Sequence, residues 1–100
     1  MRRTIQADPI SVSGKITEVF TDNGEITSVF VEGTAGGTGI YDKAKVLIGP
    51  DTKIFKGYTS EKVEAEDLLE GLSVEATFVD GPMILIYPPQ AQAKIIRILN

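Results

Sequence analysis

The fold is decided by residues 10–33, which read ISVSGKITEVFTDNGEITSVFVEG. Apolar and polar residues alternate through the first half, and the alternation slips by one position before Val19. Gly14 lies in the middle of this stretch, and a mid-strand glycine followed by a slip is typical of a bulged, coiled strand. Asn23-Gly24 comes next. Because both residues tolerate a positive φ, this dipeptide predicts a tight hairpin into the second strand.

The rest of the chain is a series of short extended segments with one helical stretch. The predicted strands are residues 10–20, 26–32, 41–48, 72–79 and 91–99, with a brief extended segment at 53–55. Residues 64–70 have acidic residues in their first turn and are followed by Gly71 as a C-cap, which predicts a short helix that buries Leu68 and Leu69. A glycine-rich loop at 33–39 and turns at 49–52 and 80–82 connect the strands.

This order, β-β-β-α-β-β, predicts an all-β domain built as a five-stranded OB-fold-like barrel. Short strands leave exposed edges unless the sheet closes on itself, and a helix between the third and fourth strands fills the gap in an OB barrel. An SH3-like barrel is the alternative. We expect residues 1–9 to be a flexible N-terminal segment and residues 10–100 to form a single barrel domain.

Composition excludes several classes of function. The chain has 100 residues, and its formal net charge of -4 argues against a general affinity for phosphate backbones or anionic lipid. It contains no His and no Cys. Thiol chemistry, imidazole catalysis and the usual Zn, Cu and haem ligation are therefore excluded. No apolar run approaches the roughly 20 residues that cross a bilayer.

No motif in the sequence predicts catalysis, a cofactor or a metal. The loop at 33–39 (GTAGGTG) lacks a Lys and leads into a strand, unlike a phosphate-binding loop. The acidic residues between 61 and 70 lack the spacing of a calcium loop and are typical of a solvated face. No serine has the surroundings of a nucleophile. We therefore expect a protein that is not an enzyme; a small hydrolase would need a polar triad to converge in the folded barrel.

The sequence predicts a binding surface on the second and third strands, bordered by residues 81–90 (GPMILIYPPQ). OB barrels commonly bind ligands on these strands and at the loop between the last two strands. In the simpler interpretation this segment only closes the barrel, with Tyr-Pro-Pro as a rigid corner. In the functional interpretation, the polar side of the surface is formed by Tyr41, Lys43 and Lys45, and the apolar side by Met83 and Tyr87.

Single-stranded nucleic acid is the alternative ligand, because OB barrels often stack bases on aromatic side chains among lysines. Residues 41–60 contain four Lys and two acidic residues, whereas residues 61–80 contain one Lys and seven acidic residues. The aromatic residues near the basic part are Phe30, Tyr41, Phe55 and Tyr58. We predict that Phe30 and Phe55 belong to the core, which weakens this alternative.

Four short segments resemble the DUF3221 family of small Bacillus lipoproteins of unknown function. They are residues 39–44 (GIYDKA), 52–55 (TKIF), 67–71 (DLLEG) and, most specifically, 87–93 (YPPQAQA). The resemblance extends over roughly residues 12–99. It implies a small domain displayed at a bacterial cell envelope, and it supplies no activity and no site residues.

Together, the residues and the resemblance lead to an expected function. We expect a non-enzymatic binding module, most simply a monomer, that takes a protein, peptide or glycan partner at the cell envelope. Membrane association would require a lipid anchor, and neither a leader nor a lipid-bearing cysteine is present in this chain. A cytosolic single-strand nucleic-acid-binding domain is the alternative.

Overall fold

A computed structural model describes residues 10–33, 39–79, 86 and 88–99. Within these ranges the chain forms six strands and a single 3-10 turn at Ala65–Asp67. The strands are β1 (Val12–Asp22), β2 (Glu25–Gly33), β3 (Lys43–Leu47), β4 (Lys53–Lys56), β5 (Ser73–Phe78) and β6 (Gln90–Ile98). The predicted flexible segment 1–9, most of the glycine-rich loop and the predicted turn at 80–82 lie outside the described residues.

Five of the strands close into a barrel. Antiparallel pairing joins β1 to β2, β2 to β3, β1 to β5 and β5 to β6, and a parallel pairing of β3 with β6 completes the ring. The predicted OB-fold-like barrel is therefore confirmed. The segment predicted only as extended at 53–55 forms the additional strand β4, which pairs in parallel with the second half of β6.

The coiled first strand behaves as its sequence predicts. Gly14 pairs with Gly33 of β2 and also with Val74 of β5, so β1 belongs to both halves of the barrel. The pairing with β2 shifts between Ile16 and Glu18, which leaves an extra residue in β1. This bulge moves Glu18 onto the outer face, where the earlier alternation would have placed it inward.

The predicted hairpin is also confirmed. Asn23 and Gly24 have φ values of 54° and 81°, as a two-residue loop of this kind requires. Asp22 and Glu25 are directly paired at its base, so the turn is tight.

One continuous core fills the barrel, and each of the six described strands contributes buried residues to it. In β5 the alternation is regular, with Val74, Ala76 and Phe78 buried. The other buried apolar residues are Val12, Ile16, Val29, Val31, Ala44, Val46, Ile54, Leu68, Ala93, Ile96 and Ile98.

The helix predicted for residues 64–70 is wrong beyond its first turn. The Glu64 N–H donates to the Asp67 carboxylate at 3.1 Å, which starts the turn. Leu68 is already extended and fully buried, whereas Leu69 is 59% exposed, so only one of the two leucines enters the core. Gly71 has a φ of 92° and donates its N–H to the Ile16 carbonyl at 2.8 Å. The chain leaves the helix early because it must close the barrel end and return to β1.

Candidate functional site

A shallow groove of about 350 Å³ lies on the outer face of β1, β2 and β3. Its far wall comes from the residues that lead into β6, so it occupies the position where OB barrels commonly bind ligands. The lining residues are Glu18, Phe20, Phe30, Lys45, Ile86, Pro88 and Gln90.

Strand register assembles most of this groove in one row. Glu18 is paired with Phe30, and Phe30 is paired with Lys45. Lys45 is paired in turn with Gln90 of β6. Directly paired residues on one face of a sheet have neighbouring side chains. The groove therefore depends on the closure between β3 and β6, because that pairing brings Gln90 into the row.

The floor of the groove is aromatic. Phe20 and Phe30 are both only partly buried, and the Lys45 ammonium lies 4.4 Å from the centre of the Phe20 ring. This distance is within cation–π range. The Lys45 N–H donates to the Pro89 carbonyl at 2.9 Å, which holds the entry to β6 against β3. Ile86, in the wall, is 49% exposed.

The structure brings together some of the predicted site residues. Lys45 lines the groove, and Lys43 lies on the same side of β3, paired with Glu32. Met83 and Tyr87 lie outside the described residues. The apolar wall predicted around Tyr87 has its described members in Ile86 and Pro88.

Tyr41 is placed apart from the two lysines. Its N–H donates to the Ser11 carbonyl at 2.8 Å, and the residue forms an isolated bridge with Val12. Its ring packs against the core, with its centre 6.1 Å from that of Phe78. The bend before β3 thus directs Tyr41 towards the barrel end rather than onto the outer face with Lys43 and Lys45.

The prediction that Phe30 and Phe55 are core residues is wrong. Val29 and Val31 point inward, so Phe30 between them points into the groove. Phe55 lies on the outer face of β4, and the centre of its ring is 5.1 Å from Cζ of the Arg97 guanidinium. The local pattern Val29-Phe30-Val31 was the available signal for Phe30, because two inward valines place the residue between them on the outer face. The phase slip in β1 was the signal for Phe20, which the sequence interpretation did not single out.

A second cluster lies on the outer face of β4, β5 and β6. The Arg97 guanidinium donates to the carbonyls of Gly57 and Thr59 at 3.1 and 3.2 Å and lies 5.8 Å from the Tyr58 ring. The Tyr58 hydroxyl donates to Glu75 at 2.6 Å. This hydrogen bond to a carboxylate raises the pKa of Tyr58 above its ordinary value. The cluster fastens residues 57–59 to the sheet and uses its polar groups internally.

A larger depression of about 420 Å³ lies between the turn after β3 and residues 62–65. It has no aromatic lining residue among those described. The Thr52 hydroxyl inside it accepts from the Gly49 N–H at 2.9 Å and donates to the Ala93 carbonyl at 2.6 Å. Its central polar group is therefore satisfied by the fold, and the aromatic groove is the better candidate site.

The described ranges contain neither a membrane-spanning helix nor a cluster of carboxylates suited to a metal ion. No helix there is long and apolar enough to cross a membrane. In the same ranges no group of three or more Asp or Glu side chains is arranged to hold a metal ion.

Comparisons of the chain with protein-family models, curated proteins and solved structures found no match. The geometry of the groove is therefore the basis on which a function can be proposed.

Proposed function

We propose that this domain is a non-catalytic binding module that holds an extended peptide segment of a partner protein in the groove. The observation that carries the proposal is the pair of partly exposed rings, Phe20 and Phe30, beside the exposed Ile86. Burying a large apolar side chain contributes about 1.5–3 kcal/mol. The fold has already buried most of each ring, so a ligand that covers the remaining surface gains part of this contribution.

The form of the groove favours a peptide over a compact small molecule. Its volume of about 350 Å³ is open to solvent along the sheet rather than enclosed. The apolar floor suits a side chain such as Leu or Phe. Glu18, Lys45 and Gln90 supply hydrogen-bonding groups along the row for the amides and carbonyls of a main chain.

The test is selection of short random peptides by the immobilised domain, followed by calorimetric titration of the selected peptides. We expect Phe30→Ala to weaken binding at least tenfold, as loss of a central aromatic contact typically does. Phe55→Ala is the matched control, because it removes the same side chain from a partly buried position outside the groove. Equal effects of the two substitutions, with both variants folded, would contradict the proposal.

One observation favours single-stranded nucleic acid as a second candidate. Two partly exposed phenylalanine rings beside a lysine on this face resemble the arrangement on which bases stack in OB domains. The test is fluorescence titration of oligothymidylate at low salt. This candidate predicts binding that weakens steeply with salt and that is lost in both Phe30→Ala and Lys45→Met.

We also propose that the domain acts at a bacterial cell envelope, on the strength of the family resemblance centred on residues 87–93. This location is tested by fractionating the cells of the native host and measuring the intact mass of the natural protein by mass spectrometry. A membrane fraction carrying a lipidated N-terminal cysteine is the expected result. An unmodified protein in the cytosol would refute the envelope location and would favour single-stranded nucleic acid as the ligand.

A further inference from the structure

We infer that the peptide taken by the groove is basic as well as apolar, with a Lys or Arg that reaches Glu18. This inference rests on the proposed function and specifies its ligand. Glu18 lines the groove beside Phe30, its side chain is exposed, and no described residue forms an ion pair or hydrogen bond with its carboxylate. A cationic side chain of the peptide, next to the apolar side chain bound on the rings, would form an ion pair with the Glu18 carboxylate.

The hairpin that carries the groove is predominantly acidic, and its one basic residue is Lys15, which is paired with Glu32 near the end far from the turn. Between residues 16 and 33 it contains four acidic residues and no Lys or Arg: Glu18, Asp22, Glu25 and Glu32. Asp22 and Glu25 are directly paired across the two strands. Like charges in this position destabilise a hairpin, and no described Lys or Arg neutralises either of them. A cationic ligand that extends from the groove along β1 would relieve this repulsion.

The acidic surface continues onto a segment that is distant in sequence. Glu25 lines a depression of about 190 Å³ together with Glu64 and Glu66, which the fold brings to the turn end of the hairpin. The fold thus joins the acidic stretch after residue 60 to the acids of the hairpin. This charge distribution disfavours a polyanion and favours a polycation.

Among the described residues that line the groove, Lys45 is the only basic one, and it makes the inference testable by charge. Its ammonium lies over Phe20, on the floor, where it repels a cationic ligand and attracts an anionic one. A basic peptide should therefore bind Lys45→Met more tightly than the natural protein. Nucleic acid or an acidic peptide should bind that variant more weakly.

The experiment titrates the domain with three synthetic peptides of one length, composed of Lys and Leu, of Glu and Leu, and of Lys and Ser. We expect only the Lys/Leu peptide to bind well and its affinity to fall as salt rises. Glu18→Gln should weaken it about threefold, the scale of an exposed ion pair. Asp51→Asn removes one charge from a turn away from the hairpin, and it should have no comparable effect.

Each alternative result has a definite meaning. Equal binding of the Glu/Leu peptide, equal effects of Glu18→Gln and Asp51→Asn, or weaker binding by Lys45→Met would overturn the inference while leaving a peptide site in place. Tight binding of oligothymidylate would overturn it in favour of nucleic acid. If no peptide binds and the random-peptide selection is insensitive to Phe30→Ala, the proposed function fails as well.

Discussion

Gly14 lies where β1 passes from one half of the barrel to the other. A Cβ atom at this position would collide with the backbone of Glu32 and Gly33, which cannot rotate away as a side chain can. We expect Gly14→Ala to lower the free energy of unfolding by about 3 kcal/mol, the upper range for overpacking a tight site. Urea denaturation measures this. Lys15→Ala, at the exposed neighbouring position, is the control and should change stability little.

Tyr58 gives a prediction about alkaline pH. Its hydrogen bond to Glu75 raises the pKa of the phenol above the ordinary 10.0. A raised pKa in the folded state contributes stability below the unfolded-state pKa, and this contribution is lost as the pH rises through the folded-state pKa. Ultraviolet titration of phenolate should show Tyr58 ionising late, and Glu75→Gln should move that step to lower pH.

The chain has three tyrosines, so the assignment needs a reference. Tyr58→Phe supplies it, because the step that disappears in this variant belongs to Tyr58. If the step of Tyr58 is the same with Glu75 and with Gln at that position, then the hydrogen bond to Glu75 does not form in solution.

At the scale of elements, the turn at residues 65–67 places two adjacent leucines in different environments. Leu68 is fully buried at the barrel end, and Leu69 is 59% exposed. We expect Leu68→Ala to cost about 2–5 kcal/mol of unfolding free energy, the range for emptying a buried leucine site. Leu69→Ala should stay within about 0.5 kcal/mol. Thermal or chemical denaturation compares the pair. Equal losses would show that both leucines pack inside, as an α-helix there would allow.

The strands and turns were predictable because their signals are local. The alternation of apolar and polar residues predicted β5, and the Asn23-Gly24 dipeptide predicted the hairpin. Gly14 and the phase slip after it predicted the coiling of β1. The early end of the helix was not predictable, because acidic residues followed by two leucines fit an α-helix as well as they fit a single 3-10 turn. Only the requirement that Gly71 return to Ile16 ends it after one turn.

At the scale of the whole molecule, the groove could be predicted only in part. The face of β2 and β3 and the segment before β6 were identified from general OB geometry, and Lys45 proved to line the groove. Tyr41 could not be excluded, because its direction depends on a bend before β3 that leaves no mark in the alternation. The neighbourhood of Phe30 and Ile86 is created by closure of β3 on β6, between residues far apart in the chain.

Closure also makes the last strand decisive for folding. β6 pairs with β3, β4 and β5 and contributes the fully buried Ile96, so the meander of β1, β2 and β3 cannot cover its own apolar face. A chain ending at Pro89 should therefore lack a cooperative thermal transition by circular dichroism. The full chain should unfold in one step that is the same by circular dichroism and by tyrosine fluorescence.

A chain lacking residues 1–9, the segment predicted to lie outside the barrel, is the control and should keep that transition. Cooperative unfolding of the chain without β6 would show instead that the meander folds alone. The groove would then need only its β1–β3 floor to form, and peptide binding would survive the truncation in part.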